Sequence, residues 1–404
     1  MALPDSVAIA GTSLAGFRCA QALRRGGFTG PITMINGETH RPYDRPPLSK
    51  QVLRNEWDVD RIALADPAAI EELGLGWLDA TRATGLDPSV GRIHTTAGEV
   101  DAEAIVVATG ASPRRLPGTD DLVGVHVLRT LDDAIGLREA LSDAPLDVVV
   151  VGAGFIGAEV AASARSLGHR VTIVEADLVP MRRGLGAEMG ARCGELHREN
   201  GVRLLLDTTV SAVLSADQVV TGVRLPDDSE LAADVLVVGI GVVPNTDWLA
   251  TSGLVIDDGV VCDEFCAAAP NVWAVGDIAR WPNPRFDQMM RVEHWDNAID
   301  QAGFVAKRIL GEGDEPYAPI PWFWSDQYEA KLQLAGRPGS EDTTYVVTGA
   351  IDSDRFAVVY GNGDTFTGVF GMNRPRQVMQ YRRLLAEGAS LADALSFAAD
   401  EASS

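Results

Sequence analysis

Two stretches of the 404-residue chain share one pattern, an apolar strand that runs directly into a glycine-punctuated turn and then an alanine-rich helix. No other property of the sequence narrows its fold so far. The first copy is Val7-Ala8-Ile9-Ala10 followed by Gly11-Thr12-Ser13-Leu14-Ala15-Gly16, a helix to about Arg25 and a second strand from Ile32 to Ile35. The second runs from Val148 to Val151 into Gly152-Ala153-Gly154-Phe155-Ile156-Gly157, then a helix to about Leu167 and a strand from Val171 to Val174. Each is a βαβ unit, and the crossover helix forces its two strands to be parallel.

Three glycine positions divide the work of such a turn. The first permits the tight bend, the second lets a pyrophosphate approach the backbone, and the third lets the helix pack on the strand. The helix N-terminus then faces the phosphates with its unpaired N–H groups. A single turn of this kind is equally a packing device, whereas two, each between strand and helix, point to two dinucleotide sites. The second copy keeps Gly152, Gly154 and Gly157, and its second strand ends at Glu175, 23 residues past Gly152. A carboxylate there holds a ribose 2′-hydroxyl, which favours NAD over NADP. Ala176 and Asp177 follow it, and the next cations are Arg182 and Arg183, of which Arg183 is counted with the cofactor-binding residues. The first copy has Ser13 in place of the middle glycine and closes on Asn36, with Glu38 two residues on.

Beyond the repeats, Ile105 to Gly110 and Val235 to Gly241 read as buried strands ending in glycine turns, each following its own repeat. Val272 to Asp277 is a strand that delivers an aspartate to a turn; a plain helix cap is the alternative. After about Trp322 strands are expected at Lys331 to Ala335, Thr344 to Thr348, Phe356 to Tyr360 and Thr365 to Phe370. A helix follows from about Arg374, then a capping box at Ser390-Leu391-Ala392-Asp393 and a frayed tail. The fold class expected is α/β, two Rossmann-like nucleotide-binding domains and a small α+β C-terminal domain.

Charge and cysteine content exclude several functions. With 34 Lys and Arg against 57 Asp and Glu the formal charge is −23, so binding to nucleic acid or to an anionic membrane, which needs a positive field, is not expected. No charged leader precedes an apolar stretch and no apolar run reaches the ~18 residues that span a bilayer, so the chain is read as soluble and cytoplasmic. The four cysteines, Cys19, Cys193, Cys262 and Cys266, contain no Cys-x-x-Cys, and none stands in a zinc-binding pattern. They are read as buried spectators, with no metal site.

At the level of motifs the chain resembles the FAD-dependent pyridine nucleotide oxidoreductases with two nucleotide-binding domains. More narrowly, it is similar to the NADH-dependent ferredoxin reductases of bacterial haem-thiolate monooxygenase and aromatic-ring dioxygenase systems, the putidaredoxin reductase-like group that lacks the redox disulfide. The motifs that carry the likeness are Arg41-Pro42-Tyr43-Asp44-Arg45-Pro46-Pro47-Leu48-Ser49-Lys50, Ala108-Thr109-Gly110, Gly241-Val242-Val243-Pro244-Asn245, Ala274-Val275-Gly276-Asp277, Glu293-His294-Trp295 and Pro321-Trp322-Phe323-Trp324-Ser325-Asp326-Gln327. The resemblance implies a glutathione-reductase-like architecture: an FAD-binding domain of residues 1–113 and 242–322, an NAD-binding domain of 114–241 and a C-terminal domain of 323–404.

The same resemblance implies FAD on Ala15, the Gly37-Glu38 turn, Lys50, Ala83, Arg129, Asp277 and Trp295, with Trp322 beside the flavin ring and NAD on the second repeat. Relatives have an acid where this chain has Gly37, so the ribose role moves to Glu38. Gly11, Ser13, Gly16, Arg45, Ala108, Thr109, Gly110, Gly276, Glu293 and His294 complete the FAD set, Phe155 and Ile156 the NAD set, and Gly241, which follows the second repeat, is a further cofactor-binding residue. Lys50 is expected to bring positive charge to the flavin and Glu159, two residues past Gly157, to pair with it; a surface lysine and a first-turn helix charge are the plain alternatives. Disulfide reductases of the superfamily hold a cysteine on the segment from Pro47 to Lys50, where this chain has Ser49.

The function expected is electron transfer from NADH through FAD to an iron–sulfur ferredoxin, of 2Fe-2S or 3Fe-4S type. Arg374, Arg376, Arg382, Arg383 and Lys331 are candidates for docking it. An NADH oxidase or rubredoxin reductase is the second reading, and a non-enzymatic NADH-sensing flavoprotein the third.

Overall fold

The computed structural model describes residues 3–143 and 145–402, and the side chains as far as 398. The tail expected after the last helix falls at residues 403–404, outside the described residues. The chain groups into two compact units, one of Met1–Asp44, Ile62–Ser112 and Val243–Pro321, the other of Arg45–Arg61, Pro113–Val242 and Trp322–Ser404.

In the first unit the strands Ala267–Ala269, Val272–Ala274, Ala104–Val107, Val7–Ala10, Ile32–Ile35 and Gly76–Leu78 form one sheet in that spatial order. All its pairings are parallel except the one at the 267–269 edge. All four residues of Val7–Ala10 are buried, and so are all four of Ala104–Val107. A strand covered on both faces has no solvent side, which is why these read as unbroken apolar runs rather than alternations. The helix Leu14–Arg25 buries Ala15, Phe17, Cys19, Ala20 and Leu23, an amphipathic spacing, and packs on the helix Trp295–Ile309.

The second unit repeats the scheme. Arg203–Leu205, Arg170–Val174, Asp147–Val151, Val235–Val238 and Val125–His126 form a wholly parallel sheet in that order. The helix Phe155–Ser166 crosses between its two central strands, with everything from Gly157 to Ala164 buried. The same unit holds an antiparallel sheet, ordered Trp322–Gln327, Ala330–Gly336, Thr365–Met372, Phe356–Asn362 and Thr343–Thr348. The helix Pro375–Glu387 lies on two of its strands. Met181, Leu185, Met189 and Cys193 pack with Phe323, Leu332, Phe356 and Phe370 in the core beneath that sheet. The α/β class is therefore present, and the expected strands and helices lie within a few residues of their predicted bounds. The last helix opens on the expected capping box, with the Ser390 hydroxyl accepting the Asp393 N–H at 3.1 Å.

The glycine turns are built backbone on backbone. Gly11 and Gly152 have φ of +102° and +96°, and a Cβ on either would lie 2.2 Å from the Ala108 carbonyl oxygen or 2.4 Å from that of Gly239. A Cβ on Gly16 would stand 1.9 Å from the Gly11 oxygen, and one on Gly157 2.1 Å from the Gly152 oxygen. A Cβ on Gly154 meets nothing within 4 Å. The third glycine of each turn is thus required by packing and the middle one of the second turn is not.

Three histidines of the second unit, His126, His169 and His197, are held below the ordinary imidazole pKa by burial. His197 is fully buried, bonded through Nδ1 to the Tyr328 hydroxyl at 2.8 Å, and depressed to about 4.

Two stability predictions follow from these contacts. Gly157→Ala should lower the unfolding free energy by about 1–3 kcal/mol, the usual cost of forcing atoms into a packed site, whereas Gly154→Ala should cost less than about 1 kcal/mol; urea titration of both variants checks the contrast. For His197, the unfolded chain binds a proton below about pH 6.5, while the folded chain does so only near pH 4. Its contribution is therefore complete above the unfolded value and is lost as pH falls through that window, on the order of 3 kcal/mol in all. His197→Gln should flatten that part of the stability profile between pH 6.5 and 4.

Candidate functional site

In the first unit several of the residues expected to hold FAD lie on turns at one end of the parallel sheet, whereas Arg45, Lys50, Arg129 and Trp322 belong to the second unit. Gly11 leaves Val7–Ala10, and Ser13 is the N-cap of the 14–25 helix with its side chain making no capping bond. Gly276, at φ +75°, comes so near Ala15 that a Cβ on it would lie 2.9 Å from the Ala15 Cβ. Its N–H donates to Gln301 Oε1 at 2.8 Å, which fixes the turn that carries half-buried Asp277. The Asp277 carbonyl accepts from Arg291, whose guanidinium also pairs with Glu293 at 2.6 Å.

Asn36, buried at the end of Ile32–Ile35, is already saturated. Its Oδ1 accepts from the Thr12 hydroxyl at 2.8 Å and the Glu38 N–H at 3.2 Å, and its Nδ2 donates to the His40 carbonyl and to Asp79. That leaves Glu38 as the acid beside the turn, with Oε2 accepting the Tyr43 hydroxyl at 2.6 Å, while Gly37 is exposed. Ala83 opens the small antiparallel strand Ala83–Asp87, two residues past Thr81, whose N–H donates to the Asn36 carbonyl. Ala108, Thr109 and Gly110 form the turn after Ala104–Val107, and Asn245 clamps it by donating to the Thr109 carbonyl at 2.8 Å. His294 caps the 295–309 helix, and Trp295 Nε1 donates to Asp44 at 2.7 Å.

In the second unit Gly152, Gly154 and Gly157 bring the turn under the N-terminus of the 155–166 helix, with Phe155 half-buried and Ile156 exposed. The Glu175 carboxylate stands at the turn, accepting N–H groups of Ala153 at 2.5 Å and Asp177 at 2.8 Å. Gly241, exposed at φ +95°, follows the neighbouring strand. Arg183 is exposed on the first turn of the helix Arg182–Glu199.

The helix Phe155–Ser166 also carries a buried polar cluster. Glu159, 4% exposed, receives Lys50, 5% exposed, in an ion pair of 2.7 Å through Oε2. Oε2 also accepts the Ser49 hydroxyl at 2.5 Å, and Oε1 accepts the Ser325 hydroxyl at 2.8 Å. One helical turn on, the Ser163 hydroxyl donates to the Ser49 carbonyl at 2.6 Å. Burying two charges costs several kcal/mol per ion, a cost that further hydrogen bonds offset, and here both carboxylate oxygens accept one. The surface-lysine alternative for Lys50 is excluded, and so is the exposed first-turn role for Glu159. Arg45 donates to the Arg129 carbonyl, and the Arg129 N–H donates to Asp133 at 3.0 Å, so these two expected residues are also adjoined.

Ser325 and Gln327 were given no role by sequence reasoning. Their signal lies in the alternation of Trp322–Gln327, where the buried positions are Phe323, Ser325 and Gln327 and the half-buried ones Trp322, Trp324 and Asp326. Polar side chains on the buried parity of a strand demand partners. On the other parity Trp322 and Trp324 stack at 5.3 Å, Arg382 lies 5.7 Å over the Trp322 ring, and Trp322 Nε1 is buried with no hydrogen-bond partner among the described residues.

All four cysteines are buried and free, and burial raises every one of their pKa values, those of Cys19, Cys193 and Cys262 to about 12. No thiolate is available. No helix among the described residues is long and apolar enough to cross a membrane.

Comparison with known proteins agrees with this arrangement. Residues 5–302 match the family described as pyridine nucleotide-disulphide oxidoreductase, and residues 322–404 the one described as reductase C-terminal. The chain is 39% identical to rhodocoxin reductase of Rhodococcus erythropolis over 94% of its own length and 89% of the relative's. It superposes on the ferredoxin reductase for the CYP199A2 system from Rhodopseudomonas palustris with a TM-score of 0.93 at 34% identity, covering 99% of this chain and 100% of that one. On the reductase in the covalent putidaredoxin reductase–putidaredoxin complex the TM-score is 0.91 at 33% identity, covering 95% and 93%. With about three quarters of its length in the first match and about a fifth in the second, the chain belongs to the pyridine nucleotide-disulphide oxidoreductase family and carries a reductase C-terminal domain.

Proposed function

We propose that the chain is an NADH:ferredoxin reductase that passes electrons from NADH through FAD to an iron–sulfur ferredoxin serving an oxygenase. The observation that carries this reading is the pairing of two phosphate-cradling turns with the absence of any reactive thiol, Ser49 standing on the segment where disulfide reductases hold a cysteine. FAD, when bound, supplies the conversion between a two-electron donor and a one-electron acceptor.

The residues fit that group. Gly11, Ser13, Ala15 and Gly16 present the N-terminus of the 14–25 helix to a pyrophosphate. Glu38 offers a carboxylate to the adenosine ribose, Ala83 backbone to the adenine, and Asp277 hydrogen-bond acceptors to the ribityl chain. Arg45, Arg129, Thr109, Gly110, Gly276, Glu293, His294 and Trp295 belong to the same set. Trp322, with its orphaned indole N–H, serves the flavin ring. Lys50, held by Glu159, brings a fixed positive charge to it, and a cation so placed favours the anionic reduced form.

NADH is assigned to the second turn, where Gly154 leaves the space a pyrophosphate needs and Glu175 meets the ribose. The division into an FAD-binding domain (1–113 and 242–322), an NAD-binding domain (114–241) and a C-terminal domain (323–404) belongs to the same reading. It is supported by the three separate main sheets. The site of action is the cytoplasm, and the ferredoxin carries a 2Fe-2S or 3Fe-4S cluster.

Ferredoxin docks on the C-terminal domain. Of the basic side chains there, Lys331 is paired with Asp326 at 2.5 Å and Arg383 with Glu387 at 2.8 Å, while Arg376 is exposed on the first turn of the 375–387 helix. A net charge of −23 does not forbid an acidic partner, because the Debye length is ~8 Å at physiological salt and docking senses the local field.

Two measurements test the reading. The kcat/KM for NADH should exceed that for NADPH by at least about tenfold, the discrimination of one charged hydrogen bond, and Glu175→Ala should narrow the ratio; equal use of both nucleotides by the wild type overturns the assignment. Reduction of ferredoxin should slow as salt rises while reduction of ferricyanide changes much less, and Arg376→Glu should raise the KM for ferredoxin several-fold with the NADH half-reaction intact. Salt-independent kinetics would place docking elsewhere.

A further inference from the structure

Glu159 lies on a helix with a flexible side chain, and its two oxygens are held differently. Oε2 is gripped from one side by Lys50 and Ser49, which are neighbours in sequence. Among the described residues Oε1 has one hydrogen-bond partner, Ser325, on the first strand of the antiparallel sheet. That strand is hydrogen-bonded in register along its whole length, with Ser325 opposite Leu332, so the hydroxyl is delivered by rigid backbone. Ser325 is fully buried, on the same face as Phe323. Gln327, also fully buried, donates Nε2–H to the Ser325 oxygen at 3.1 Å. With that acceptor lone pair engaged, the serine proton is directed at Glu159. A hydroxyl and a carboxamide in an otherwise apolar layer cost free energy unless they are hydrogen-bonded, and here the bonds run from Gln327 to Ser325 to the Glu159 carboxylate.

We infer that Ser325, oriented by Gln327, is a positioning residue for hydride transfer from NADH: it fixes the Glu159 carboxylate and through it Lys50. The inference rests on the proposed role of Lys50 toward the flavin. Removing the Ser325 hydroxyl leaves Oε1 buried without a donor, so the carboxylate turns to find one and Lys50 loses its defined position. The C-terminal sheet thereby contributes to the first half-reaction, in addition to carrying the docking surface for the second.

The test uses the FAD-loaded full-length enzyme in anaerobic stopped-flow reduction by NADH, with dye-coupled redox titration of the flavin as a second readout. Lys50→Met is expected to slow reduction and lower the midpoint potential. Ser325→Ala should slow reduction at saturating NADH about tenfold, the size of one hydrogen bond to a charged group. It should move the potential in the same direction, with NADH affinity near wild type and the melting temperature lowered by no more than a few degrees, about what one unsatisfied buried acceptor costs a chain of this size. Ser325→Thr, which keeps the hydroxyl, should recover most of the rate, and the Ser325→Ala effect should vanish when Glu159 is already Gln, as a double-mutant cycle requires of residues acting in series. A wild-type rate and potential in Ser325→Ala, a threonine variant as slow as alanine despite folding, or equal slowing in the Glu159→Gln background would each overturn the inference. If instead Lys50→Met is itself indistinguishable from wild type, it is the underlying assignment of Lys50 that falls.

Discussion

Backbone laid directly on backbone at the two glycine turns is the constraint from which the remaining geometry is built. The carbonyl of Gly152 touches Gly157, and that of Gly239 touches Gly152, so the 155–166 helix has only one seat on its sheet. Its N-terminus is aimed by that seat, and so is everything two turns along its buried face. Glu159 and Ser163 reach the segment holding Ser49 and Lys50 because Gly157 has no side chain. The first turn uses the same device with Gly11 and Gly16, and there the reward is the close approach of the Gly276 turn to Ala15. One packing rule thus sets both the phosphate-facing helix ends and the location of the buried charge.

The strand Trp322–Gln327 shows how a pleat separates two tasks. Its buried parity fastens a carboxylate, and its other parity offers a stacked tryptophan pair under an arginine. The two sets of side chains are interleaved in sequence and never compete for space, since successive side chains leave a strand on opposite sides.

The fold was legible wherever a local rule decided it. The repeats announced themselves through glycine spacing and four-residue apolar runs, and Ser390 and Asp393 marked the last helix through their mutual caps. The helix Arg182–Glu199 was not read, because Gly184, Gly186, Gly190 and Gly194 break its propensity and Gly186 interrupts it at φ +75°. Its seat comes from Met181, Leu185, Met189 and Cys193 packing under a sheet formed far along the chain. The sequence boundaries put residues 45–61 with the first nucleotide-binding domain, whereas contacts group them with the second unit, since Glu159 and Ser163 hold them across more than 100 residues of chain. Ser325 escaped notice for the same reason: its partner lies 166 positions away. Asn36, at the end of the first repeat's second strand, has its amide fully spent on Thr12, Glu38, His40 and Asp79, a network of contacts distant in sequence that no local pattern announces.

Keeping all four thiols buried and protonated has a consequence for durability. Peroxide attacks cysteine as the thiolate, and attack advances by exposure from sulfenic to irreversible sulfinic and sulfonic acids. With burial pushing every cysteine well above neutrality, the folded chain offers that chemistry no foothold. A protein built this way needs no repair system for its cysteines, and the lifetime of its thiols under oxidative load is set by how rarely its core opens, leaving, among the described residues, the exposed Met289 and Met379 as the sulfur open to oxidants.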